Sequence, residues 1–294
     1  GLKPNPYTYS SIILLLCKTG KVVEAEKVLI EMMNLGTVPD SVVYTTLIDG
    51  FCKIGNISCV LKLFDEMQAR QIIPDLYSYT SMICGLCQTE KMMKAKNIFL
   101  EILGRVLEPD EITYTALMDG FCKAGELVKA HELLQVMLDR GIQPTVVTFN
   151  VLMNGFCMLG MLEDGERLLK WMLEKGIRPN TTTYNSLMKQ YCVRNDMRVT
   201  TEFYRRMCAQ GILPDSNTYN ILVKGHCKAR NMKEAWFLHK EMACKGFKLT
   251  TSSYNALIKG FLKRKKFLEA SKLFEELRRE GLVADREIYN FYVD

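Results

Sequence analysis

Residues 42–75 read VVYTTLIDGFCKIGNISCVLKLFDEMQARQIIPD, and residues 111–144 read EITYTALMDGFCKAGELVKAHELLQVMLDRGIQP. In the first stretch, Tyr44, Leu47, Ile48, Phe51 and Cys52 fall at i, i+3, i+4, i+7 and i+8, the apolar stripe of an amphipathic helix. Gly55-Asn56 breaks that stripe as a helix C-terminus does. Ile57, Val60, Leu63, Phe64 and Met67 then carry a second helical stripe. Pro74-Asp75 closes the stretch, with Asp75 placed to cap the helix that follows. The second stretch keeps both stripes, the turn glycine (Gly125) and the closing proline (Pro144).

The same marks run through the chain at a step of 35. Tyr9, Tyr44, Tyr79, Tyr114, Phe149, Tyr184, Tyr219, Tyr254 and Tyr289 keep it, as do Cys17, Cys52, Cys87, Cys122, Cys157, Cys192 and Cys227. A fixed period of this size predicts stacked helical hairpins, because one 35-residue hairpin cannot bury both stripes and neighbours can. The expected fold is all-α, a single solenoid over 1–294. Its repeats are 6–40, 41–75, 76–110, 111–145, 146–180, 181–215, 216–250 and 251–285, with partial repeats at 1–5 and 286–294. Ile288, Phe291 and Tyr292 lack a second helix in this plan. Weak end-to-end self-association or mobility at 286–294 is therefore expected.

Composition narrows the chemistry. Of 294 residues, 48% are hydrophobic and 24% charged, which excludes a disordered chain. Lys and Arg number 39 and Asp and Glu 33, so the net charge of +6 is a mild bias towards anionic partners. No apolar run is long enough for a membrane span, and no secretory signal opens the chain, so a soluble intracellular protein is expected. The pair Cys84-x-x-Cys87 has zinc spacing but no second pair, and Cys87 is one of the in-register residues, so core packing is the reading. His131, His226 and His239 sit in separate repeats without partners and are expected at the surface or at a groove edge. Asp65-Glu66 and Glu275-Glu276 read as a solvated face. No enzyme, cofactor, metal or small-molecule substrate is expected.

Two polar series stand out. The residue after each repeat aromatic is Ser10, Thr45, Thr80, Thr115, Asn150, Asn185, Asn220 and Asn255. These residues cost about 0.5 kcal/mol each in a helix relative to Ala, so helix stability does not select them. The last residue of each repeat is Asp40, Asp75, Asp110, Thr145, Asn180, Asp215, Thr250 and Asp285. Helix capping explains that series as well as any ligand does.

The two stretches quoted above resemble the pentatricopeptide repeat in its plain 35-residue form, and the resemblance covers the whole chain. It implies a right-handed superhelix of helix pairs that binds single-stranded RNA in mitochondria or chloroplasts, in processing, stabilisation, splicing, editing or translation. The residue after the aromatic and the last residue of the repeat would jointly read one base. Ser10 with Asp40, Thr45 with Asp75 and Thr80 with Asp110 then imply G. Thr115 with Thr145 leans to a purine, Asn150 with Asn180 implies C with U tolerated, and Asn220 with Thr250 leans to a pyrimidine. Asn185 with Asp215 and Asn255 with Asp285 imply U. With the N-terminus at the RNA 5′ end the implied target is 5′-GGG-R-C-U-Y-U-3′.

The resemblance also implies that the second residue of each repeat wedges between bases. Tyr7, Val42, Tyr77, Ile112 and Val147 suit that role, whereas Thr182, Asn217, Ser252 and Glu287 depart from it. Lys18, Lys53, Lys123, Lys228 and Lys263 match the position that faces the RNA backbone; Gln88, Met158 and Val193 break the series. A protein-binding scaffold is the alternative, since helical-repeat grooves also hold peptides. The ordered series of hydroxyls and then amides favours RNA. No membrane partner is expected.

Overall fold

The computed structural model describes residues 5–105 and 107–293; residues 1–4 of the expected first partial repeat lie outside the described residues. The described residues form helices and no strands. The chain divides into two compact bodies at Gly155 and Phe156. The first contains α1 (Pro6–Lys18), α2 (Val22–Asn34), α3 (Ser41–Lys53), α4 (Ile57–Ala69), α5 (Leu76–Gln88), α6 (Met92–Gly104), α7 (Glu111–Lys123), α8 (Leu127–Asp139) and most of α9 (Val146–Met158). The second contains α10 (Leu162–Glu174), α11 (Thr181–Val193), α12 (Met197–Ala209), α13 (Ser216–Lys228), α14 (Met232–Cys244), α15 (Thr251–Lys263), α16 (Phe267–Arg279) and α17 (Arg286–Val293).

Local chemistry sets the helix ends. Asp40 Oδ1 accepts from the Val43 amide at 3.0 Å, Asp110 Oδ1 from Thr113 at 2.9 Å and Asp215 Oδ1 from Thr218 at 2.7 Å, each satisfying a first-turn N–H. Between paired helices the chain reverses through a left-handed residue, as at Gly55 (φ 73°). Asn195 (φ 63°) takes the same conformation, a place where asparagine is the best tolerated substitute for glycine.

Within the first body, α3 packs on its own partner α4 and on α1 and α5; within the second, α13 packs on α14, α11 and α15. The repeat aromatics fill these interfaces: Tyr44, Tyr79 and Tyr114 are fully buried, as is Tyr219 in the second body. Tyr289 departs from the series and is half exposed. The in-register cysteines are there for close approach. A methyl group built on Gly85 would lie 2.5 Å from Cys52 Sγ, and one on Gly225 would lie 2.5 Å from Cys192 Sγ. Each thiol thus fills the space that the next repeat's glycine leaves open. Burial pushes Cys52, Cys87 and Cys122 up to about 12, so these thiols stay protonated.

Three expectations need correction. His226 and His239 are buried, at 6% and 5% exposure, not at the surface or a groove edge. His226 stands where Phe51 and Phe121 stand in other repeats, and His239 stands where Phe64 does. Only half of each acidic pair is a solvated face: Asp65 and Glu275 are exposed, whereas Glu66 Oε1 accepts from the Tyr44 phenol at 3.0 Å and Glu276 Oε1 from Tyr254 at 2.8 Å. Near the C-terminus, Ile288 is buried and Tyr292 stacks on Phe274 at 4.6 Å between centroids. Among the three residues expected to lack cover there, Phe291 stays half exposed.

Candidate functional site

The second and fifth residues of a repeat lie one helical turn apart at the start of its first helix, so they share a face. In the first body the second residues project into solvent: Tyr7 is 83% exposed, and Val42, Tyr77, Ile112 and Val147 are more than half exposed. The core therefore does not account for these apolar side chains. The corresponding residues of the second body are polar, and Asn217 and Glu287 are exposed there.

The fifth residues are less open than their polarity suggests. Thr45, Thr80, Thr115, Asn185 and Asn220 are all buried, while Ser10, Asn150 and Asn255 are partly exposed. Each buried one meets the hydroxyl at the third place of the following repeat. Thr45 Oγ1 is 2.7 Å from Ser78 Oγ, Thr80 Oγ1 is 2.7 Å from Thr113 Oγ1, and Thr115 Oγ1 is 2.9 Å from Thr148 Oγ1. In the second body, Thr218 Oγ1 donates to Asn185 Oδ1 at 2.9 Å and Ser253 Oγ to Asn220 Oδ1 at 2.5 Å. Sequence reasoning passed over these third-place hydroxyls, although their own 35-residue step made them visible.

The last residues of the repeats cap the helices that follow and sit beside the fifth residues. Asn185 Nδ2 donates to Asp215 Oδ1 at 3.2 Å. Burial pushes the Asp215 carboxyl up, but hydrogen bonds from the Thr218 amide and hydroxyl and from Asn185 outweigh it and hold the group below its ordinary value. Asp285 is held low in the same way, with burial opposed by Lys259, whose Nζ lies 2.6 Å away. Thr145 brings no carboxylate of its own, yet its hydroxyl donates to Glu111 Oε1 at 2.7 Å.

The five matched lysines differ in their surroundings. Lys53 Nζ lies 2.6 Å from Asp49 and Lys123 Nζ 2.5 Å from Asp119, each an ion pair one turn back along its own helix. Lys228 donates to the Val193 carbonyl, while Lys18 and Lys263 are exposed at helix ends. Lys224, Lys228, Lys259 and Lys263 line one open cleft of the second body together with Arg230 and Arg264. The charge is divided accordingly. Residues 156–294 hold 25 Lys and Arg against 16 Asp and Glu, a net +9, and residues 1–155 hold 14 against 17, a net −3. Among the described residues no group of His, Cys, Asp and Glu could hold a metal ion, and no helix is long and apolar enough to cross a membrane.

Comparison with known proteins agrees with this plan. The fold is similar to that of the pentatricopeptide repeat protein PPR10 from maize, with a TM-score of 0.61 and 21% identity over 98% of this chain and 46% of that one. PPR10 in complex with an 18-nt psaJ RNA element matches at a TM-score of 0.52 and 22% identity, over 98% of this chain and 51% of that one. The chain thus spans about half the length of these two structures. The PPR domain of Arabidopsis thaliana protein-only RNase P 1 in complex with tRNA matches at 0.51 and 21% identity, over 59% of this chain and 92% of that one. No curated protein matches the sequence. The model of the PPR repeat family matches residues 4–53, 39–88, 77–123, 109–158, 144–192 and 179–228, and the PPR repeat model matches 217–247 and 252–282. With its helix pairs stepping by 35 residues and the matches covering most of its length, the chain belongs to the pentatricopeptide repeat family.

Proposed function

We propose that this protein binds single-stranded RNA base by base, without chemistry of its own. The observation that carries the proposal is the pairing, on one helix face, of an exposed apolar second residue with a polar fifth residue. An exposed apolar side chain beside hydrogen-bonding groups suits a splayed-out base, which offers a flat face to stack and an edge to pair. Tyr7, Val42, Tyr77, Ile112 and Val147 would supply the stacking surfaces. Base edges would be read by Ser10 with Asp40, Thr45 with Asp75, Thr80 with Asp110 and Thr115 with Thr145 in the first body. In the second body, Asn185 with Asp215, Asn220 with Thr250 and Asn255 with Asp285 would do so. The family resemblance adds Asn150 with Asn180, the target 5′-GGG-R-C-U-Y-U-3′ and an organellar transcript in mitochondrion or chloroplast.

RNA complexes of similarly folded proteins support the binding class. The test is selection of bound RNA from a random pool, with the winning sequences aligned against the target above. Enrichment of a G-rich 5′ half followed by pyrimidines supports the reading. Equal retention of unrelated RNAs, or binding to peptides alone, would defeat it.

A further inference from the structure

The third residue of each repeat has no part in the base-reading assignment. Ser78, Thr113, Thr148, Thr218 and Ser253 are all fully buried. A buried hydroxyl is costly unless it is hydrogen-bonded, so burial alone does not favour serine or threonine at this place. What these hydroxyls touch is the fifth residue of the preceding repeat.

Counting hydrogens gives the sense of each contact. Ser78 Oγ donates to Asp75 Oδ1 at 2.7 Å, and Thr113 Oγ1 to Asp110 Oδ1 at 2.7 Å. An ionised carboxylate can only accept, and a hydroxyl has one hydrogen. In the contacts Thr45–Ser78 and Thr80–Thr113 the hydrogen therefore comes from the fifth residue. Thr45 and Thr80 are left with lone pairs for any further partner. With asparagine the contact reverses. Thr218 Oγ1 shares its one hydrogen between Asn185 Oδ1 and Asp215 Oδ1, each 2.9 Å away, and Ser253 Oγ donates to Asn220 Oδ1, which also accepts from the Thr250 amide. Each amide carbonyl is thereby held against the following helix; Nδ2 donates once within the protein, to Asp215 or to the Ser216 carbonyl, and its second N–H is left as the donor.

Two repeats serve as internal controls, because their followers carry Val43 and Ile288 at the third place. Ser10, without a hydroxyl to meet, turns its hydrogen back to the Pro6 carbonyl at 3.0 Å. Asn255 Oδ1 is buried with no hydrogen-bond partner. The fixed orientation is absent where the hydroxyl is absent.

We propose that the third-place hydroxyl is a positioning residue for base recognition: it makes a fifth-place threonine an acceptor and a fifth-place asparagine a donor. The proposal rests on the base-reading assignment above and adds the chemistry of the choice. An acceptor threonine beside an acceptor aspartate matches the N1–H and N2–H donors of guanine. A donor amide matches the O2 carbonyl shared by uracil and cytosine.

The test measures base preference by competition, with all four bases at one place of an eight-base RNA. Thr218→Val keeps the side-chain shape and removes the hydroxyl; pyrimidine preference at the sixth base should fall by roughly tenfold, while Thr218→Ser keeps it. Ile288→Thr should work in the other direction and sharpen pyrimidine preference at the eighth base by roughly threefold or more. Melting curves confirm that each variant folds, and a stability change without a change in base ranking counts against the proposal. Asn185→Thr is the reference arm. If it shifts the sixth base from U towards G while Thr218→Val and Ile288→Thr leave every ranking unchanged, the positioning role is wrong and the assignment stands. If Asn185→Thr shifts nothing, the assignment falls and the proposal falls with it.

Discussion

Thr145 Oγ1 donates to Glu111 Oε1 at 2.7 Å, although the two residues lie at opposite ends of one repeat, 34 positions apart. The same oxygen accepts from Thr148 at 3.0 Å and from Thr115 at 3.2 Å. The fourth repeat thus recovers, from its first residue, the carboxylate that an aspartate at its last place supplies elsewhere.

On the base-reading assignment, that borrowed carboxylate accepts from a guanine imino N–H and sharpens the expected purine at the fourth base to G. Competition between G and A at this place should favour G by roughly threefold or more, and Glu111→Ala should bring the ratio towards one. An unchanged ratio in the variant would mean that Glu111 serves only to tie the three hydroxyls together.

Hydrogen bonds across each helix pair are a second target. The Tyr79 phenol donates to Glu101 Oε1 at 3.0 Å, joining α5 to α6, and Tyr219 does the same with Glu241 at 2.7 Å. Tyr114 has Val136 in the corresponding register, and its hydroxyl is buried without a partner. Tyr79→Phe should cost about 1 kcal/mol, and Val136→Glu should gain a similar amount by giving Tyr114 an acceptor. Chemical denaturation of the two single variants decides both signs.

The salt dependence of binding should reside in the second body. Lys53 and Lys123 already face Asp49 and Asp119, whereas Lys224 and Lys263 sit in a cleft with a surplus of positive charge. Replacing Lys224 and Lys263 together by alanine should flatten the slope of log K against log salt by about one unit or more for single-stranded RNA. The Lys53 and Lys123 double variant should change it less. Equal slopes in both variants would contradict the division.

Acid should destabilise the second body through its buried histidines. Burial lowers the His226 pKa against a smaller opposing effect of Glu234, and burial lowers that of His239 against Glu276. Above the ordinary histidine value near 6.5 both states are neutral and nothing is lost. As pH falls through that value the unfolded chain takes up protons that the folded chain resists, so stability declines. Melting temperatures between pH 7.5 and 5.5 should fall less for His226→Phe with His239→Phe than for the unaltered protein.

The helices were legible because the aromatic and cysteine series fix the period, and period alone places both stripes. The polar fifth and last residues were legible for the same reason. What escaped was whatever depends on a partner in another helix. The bond between Tyr44 and Glu66 spans 22 residues and leaves no local pattern, so Glu66 read as surface charge. His226 differs for another reason: its chemistry alone suggests exposure, whereas its register with Phe51 and Phe121 marks it as core. The burial of Thr45 came from the next repeat's Ser78, a contact that no single repeat contains.

The uneven charge of the chain has a kinetic consequence. On the RNA-binding reading, the second body with its net +9 captures the polyanion at long range and sets the association rate, with little regard for sequence. The first body, net negative and lined by exposed Tyr7, Val42 and Tyr77, contributes little to capture. Its matches govern how long a captured strand stays. On that reading the second body grips and the first discriminates, so mismatches in the 5′ half of a target should shorten residence time while leaving the rate of arrival untouched.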